Sequence, residues 1–68
     1  MMADKKRWGV RLRDGHREVI WIDVVMNGFW RGIRLPDGKP TRGPVYALLG
    51  RYHGQREAES VRDETEAA

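Results

Sequence analysis

Asn27-Gly28 sits between two apolar runs, EVIWIDVVM (18–26) and FWRGIRL (29–35), and no other feature restricts this chain as much. A two-residue type I′ turn needs positive φ at both central positions, and Asn-Gly tolerates that. The pair therefore predicts a β-hairpin of fixed register. Met26 then faces Phe29, Val25 faces Trp30, Ile22 faces Ile33 and Trp21 faces Arg34. One face of the hairpin is aliphatic: Ile20, Ile22, Val24, Met26, Phe29, Ile33 and Leu35, interrupted by Arg31. The other carries Val19, Trp21, Asp23, Val25, Trp30, Gly32 and Arg34. A half-buried strand alternates apolar and polar residues. This hairpin is apolar on both faces, so both need a cover.

Upstream, RWGVRLR (7–13) alternates with a period of two, and Asp14-Gly15 is a second hairpin signal. A two-residue turn there pairs Arg11 with Glu18, Val10 with Val19 and Trp8 with Trp21. That register places Trp8, Val10 and Leu12 on the tryptophan face. Downstream, PDGKPTRGP (36–44) holds three prolines and two glycines and reads as a loop, since proline cannot serve a central strand.

In PVYALLGRYHG (44–54), Val45, Leu48, Leu49 and Tyr52 share a helical face. Pro44 suits a first helical position and Gly54 a stop. The sequence thus predicts a small α+β fold: a three-stranded antiparallel sheet (7–13, 18–26, 29–35) followed by a helix over 44–53. The rival is a fourth strand at 44–54, whose outline resembles an all-β, SH3-like small barrel. Residues 1–54 form the expected domain. Residues 55–68, with only Val61 as a bulky anchor, read as an acidic tail, disordered or a fraying helix.

One short helix covers one face, and the aliphatic face is the natural choice. The three tryptophans are then left with about 450–750 Å² of ring surface, at roughly 150–250 Å² each. A monomer's largest apolar patch is typically about 300–600 Å². The expected covers are a second copy, another macromolecule, or the chain itself if the sheet curls at Gly9 and Gly32.

A chain of 68 residues makes one domain at most, and with no cysteine it has no disulfide to help it. The start, MMADKKRWG, lacks an apolar core of signal-peptide length, and no stretch approaches a membrane span. A cytoplasmic protein without membrane partners is expected. Charge is unevenly spread. Residues 1–56 hold twelve Lys/Arg against five Asp/Glu, or +7; residues 57–68 hold one Arg against five acids, or −4; the sum is the chain's +3. A basic body favours polyanionic partners.

Catalysis finds little support. His16 and His53 match no metal-ligand spacing, and Ser60 lies in the acidic tail, away from any His-acid pair. GIRLPDGKPT fails as a phosphate loop on spacing, with Pro40 where a Mg²⁺-binding hydroxyl belongs. No cofactor and no metal are expected. Interleaved bases and aromatics are the stronger signal. Trp8, Trp21 and Trp30 with Arg11, Arg13, Arg31 and Arg34 supply rings for stacking and cations for phosphate, and Lys39 and Arg42 extend them into the loop. The sequence reading is a non-enzymatic, homodimeric nucleic-acid-binding module, with Trp30 at the centre of its surface. The outline of sheet followed by helix is similar to sheet-in-groove DNA readers such as the arm-binding domains of tyrosine recombinases. The alternative is a small inhibitor or adaptor, of the sort phages and mobile elements encode, docking its tryptophan face on a host protein.

Overall fold

A computed structural model of the protein describes residues 5–67. Five strands form one antiparallel sheet: β1 (Trp8–Arg13), β2 (His16–Met26), β3 (Phe29–Leu35), β4 (Lys39–Pro44) and β5 (Leu48–Tyr52). A 3₁₀ turn (Val45–Ala47) joins β4 to β5, and a helix, α1 (Gln55–Ala67), follows. The strand order is β4-β3-β2-β1-β5, an open sheet with β4 and β5 at its edges.

Both predicted tight turns form. Asp14 and Gly15 have φ of 52° and 79°, and Asn27 and Gly28 have φ of 55° and 80°. The first sets Trp8 opposite Trp21, Val10 opposite Val19 and Arg11 opposite Glu18, as the turn chemistry dictates. The second sets Met26 opposite Phe29 and Val25 opposite Trp30.

Beyond Val24 the predicted register fails. Val24 pairs with Arg31 but Ile22 pairs with Gly32, leaving Asp23 as an extra residue on β2, a β-bulge. Trp21 consequently faces Ile33, and Ile20 faces Arg34. One inserted residue turns the first half of β2 over relative to β3. The fold therefore has no separate aliphatic and tryptophan faces. Ile20, Ile22 and Trp30 form one buried cluster, with Val45 and Leu48 packed on it. Val10, Val19 and Ala58 form the other, with Trp8, Leu35 and Tyr52 against it. The chain supplies both covers: the 3₁₀ turn and β5 on one side, α1 on the other.

Four further expectations change. The sheet has five strands, not three. The segment 36–44 contains β4, because proline is barred from central strands but not from an edge. Pro40, Arg42 and Pro44 are spaced by two, so their nitrogens point the same way; neither proline can donate to β3, so that way is outward. The outer edge of β4 thus offers one N–H, from Arg42, between two prolines, which blunts it against pairing with another strand. The helix expected at 44–53 is absent: Leu48–Tyr52 pairs with β1, Trp8 facing Tyr52 and Val10 facing Gly50. The open edge of β1 satisfies these backbone groups along its length, whereas a helix this short is marginal in water. Gly54, predicted to stop a helix, starts one, its carbonyl accepting the Ala58 N–H at 3.1 Å.

Gln55–Ala67, expected to lie in an acidic tail outside the 1–54 domain, form a helix that packs on the sheet through fully buried Ala58. A small residue lets the helix approach Val10 and Val19 closely, so no bulky anchor is required. Deleting residues 55–68 should uncover that cluster and lower stability by about 2 kcal/mol or more, given roughly 1.5–3 kcal/mol per fully buried valine; a urea titration reads the shift in midpoint. The bulge depends on Gly32, where an added Cβ would overlap the Trp21 carbonyl oxygen and lie 2.9 Å from the Ile22 Cα. Gly32→Ala should therefore destabilise by about 1–3 kcal/mol or more, measured in the same way.

Candidate functional site

All three tryptophans pack against other side chains of the fold. Trp30 is 2% exposed, its Nε1 donates to the Pro44 carbonyl at 3.1 Å, and the Arg11 guanidinium lies 5.3 Å from its ring centre. It is a core residue, not the centre of a surface. Trp8 and Trp21 are half-buried and packed together, ring centres 4.8 Å apart and tilted by 54°. The Arg7 guanidinium covers Trp21 at 5.5 Å. No tryptophan offers both ring faces to a ligand.

Most of the predicted arginines are engaged as well. Glu18 on β2 gathers three of them: Arg11 at 3.2 Å, Arg34 at 3.2 Å and Arg13 at 3.6 Å. The β1–β2 and β2–β3 registers bring Arg11 and Arg34 to the same carboxylate from either side. Arg34 also meets Asp37 at 3.1 Å. Arg31 binds Asp23 through Nε and an η nitrogen, both at 3.3 Å, so the bulged carboxylate is held across the strands. Of the cations singled out in the sequence, Lys39 and Arg42 are exposed on β4 and have no ion-pair partner among the described residues.

Two surfaces emerge that sequence reasoning missed. The first is a cleft lined by Lys5, Lys6, Arg7 and Arg51 against the bulge residues Ile22–Val25. Arg51 donates to the Lys6 carbonyl at 2.9 Å, while its Nε is shielded and has no acceptor among the described residues. Among the described residues, the one carboxylate lining the cleft is Asp23, already engaged by Arg31. Arg7 belongs to the predicted strand 7–13 and Lys5 and Lys6 precede it, and only the β1–β5 pairing, with Gly9 opposite Arg51, brings Arg51 to them.

The second is a hollow at the β2–β3 turn, lined by Val24, Met26, Phe29, Arg31 and Arg42 with the edge of Trp30. Around that turn Met26 is 63% exposed, Phe29 60% and Tyr46 90%. The signal for Phe29 was present in sequence, since it follows the Asn27-Gly28 turn directly, but Tyr46 lay in a segment read as helix and only the 3₁₀ turn exposes it. His16 and His53 are both exposed. No group of three or more metal-ligating side chains occurs among the described residues, and no described helix is long and apolar enough to cross a membrane.

No protein-family model matches this chain, and no curated protein or solved structure gives a significant match.

The Glu18 hub yields a direct expectation. Glu18→Gln removes the charge that three half-buried or exposed arginines share, so stability should drop by about 1–2 kcal/mol. The loss should shrink in high salt, where the arginines' mutual repulsion is screened; paired urea titrations at low and high salt read both effects.

Proposed function

We propose that this chain is a non-enzymatic nucleic-acid-binding module whose contact surface is the end of the sheet around the bulge, not the tryptophans. The observation that supports it is the convergence of Lys5, Lys6, Arg7 and Arg51 on one cleft whose single carboxylate among the described residues is already paired with Arg31. Such a cluster attracts phosphate and gains by releasing condensed counterions. The shielded Arg51 Nε is an unmet donor beside it, a situation uncommon in folded proteins. The helix has the opposite balance: α1 carries Glu57, Glu59, Asp63, Glu64 and Glu66 against Arg56 and Arg62.

The reason to expect a homodimer, an uncovered tryptophan face, is absent, since Trp8 packs against the cluster that α1 seals. The outer edge of β4 is also poorly suited to pairing with a second copy. The reading therefore invokes no dimer. A cytoplasmic setting belongs to the same proposal. One observation favours the adaptor reading instead: exposed Met26 and Phe29 beside Arg31 and Arg42 have the composition of a protein-binding hot spot.

Salt separates the two. Binding of a labelled oligonucleotide should weaken steeply with salt, and replacing exposed Lys5 and Lys6 by Gln should flatten the log–log slope by about 0.7–0.9 per lost phosphate contact. Absence of binding at about 50 mM salt, or binding indifferent to salt, overturns the nucleic-acid reading.

A further inference from the structure

Resting on that reading, we infer that the nucleic acid is single-stranded and that its bases stack on Phe29 and Tyr46 at the β2–β3 end of the sheet. Duplex readers lay a helix or a sheet face into a groove. The one α-helix among the described residues is acidic, which phosphates repel, and it is packed on the sheet through Ala58. It packs mainly on β1, β2 and β5, and Val45 and Leu48 cover Ile20, Ile22 and Trp30 on the other face, so the part of the sheet left open is its narrow β2–β3 end. An exposed ring at a turn gains nothing from a duplex, whose bases already stack on one another; it gains from an unpaired base, whose ring face is open to it.

Both rings are held on rigid backbone. Phe29 follows the Asn27-Gly28 turn directly, and Tyr46 sits in the 3₁₀ turn. The two are tied by the Val45 N–H donating to the Gly28 carbonyl at 2.7 Å, so each ring-bearing residue directly follows one partner of this hydrogen bond. Phosphate partners lie alongside. Arg42 and Arg31 line the hollow with Phe29, and Val24 lines both this hollow and the cleft of Lys5, Lys6, Arg7 and Arg51. The two surfaces therefore adjoin, and a strand whose backbone crosses the cleft brings its bases to the rings. Stacking of this kind tolerates any base, so the binding is of low sequence specificity.

The test uses the full chain and two labelled probes, an unstructured single strand of about 12 nucleotides and the matching duplex. Phe29→Ala and Tyr46→Ala alter exposed side chains, and a thermal melt checks that each variant is folded. Phe29→Leu and Tyr46→Leu keep apolar bulk but remove the ring. The wild-type chain should prefer the single strand. Each alanine and each leucine variant should bind it about five-fold or more weakly, with an unchanged salt slope, because stacking releases no ions. Equal affinity for both probes, or folded ring variants that bind like wild type while the Lys5 and Lys6 variants weaken, overturns this inference and leaves the nucleic-acid reading standing. Leucine variants that bind like wild type while alanine variants fail also overturn it, since bulk and not stacking would then be recognised. A wild-type chain that binds neither probe at low salt overturns both, and assigns the exposed Met26, Phe29 and Tyr46 to a protein partner.

Discussion

The close approach of the Trp21 carbonyl to Gly32 governs the rest of the architecture. Because residue 32 has no side chain, β2 can carry an extra residue there and still pair with β3 on both sides of it. That residue, Asp23, is fixed by Arg31. Every side chain of β2 before the bulge then takes the opposite side from the one a regular hairpin would give it. Ile20 and Ile22 join Trp30, while Val19 joins Val10. A 68-residue chain thereby divides its apolar residues between two small clusters, each of a size that one short segment can seal.

The same chain sorts its cations into two populations. Arg11, Arg13 and Arg34 meet at Glu18 between three adjacent strands, and Arg11 also lies over the indole of Trp30. Lys5, Lys6, Arg51, Lys39 and Arg42 lie at the margins with little or no acidic compensation. A net charge alone does not distinguish arginines that build a sheet from those that meet a ligand. The distinction follows from which strands are neighbours.

How much of this was legible depended on the range of the interaction. The two hairpins were, because Asp14-Gly15 and Asn27-Gly28 impose their registers over two residues of chain. The bulge was not, although Asp23 amid apolar residues and Gly32 opposite were both visible, because pairing is fixed by packing on two sides at once. β4 was hidden by treating proline as a strand breaker rather than an edge residue. The Val45–Tyr52 segment matches helical and strand periodicity alike, and the vacant edge of β1 decided between them. For α1, bulk was sought where closeness was used: Ala58 packs because it is small. Arg31 and Arg42, which line the hollow, were among the cations singled out in sequence, whereas exposed Phe29 and Tyr46 were not, because exposure is a tertiary property. The Arg51 contribution arises from a contact with Lys6 across 45 residues.

The placement of β1 also orders events in time. It lies between β2, its immediate successor, and β5, near the far end of the chain, and the cluster on Val10 and Val19 closes only with Ala58. During synthesis the two hairpins can assemble as soon as Leu35 has emerged, but they do so with valines bare and the outer edge of β1 unpaired. Loop closure over some forty residues must precede the contacts that reward it. Until then the nascent sheet exposes an open edge and apolar side chains, the state in which small β-proteins are most vulnerable to association. The last helix acts as a latch, and the protein becomes a finished domain all at once rather than strand by strand.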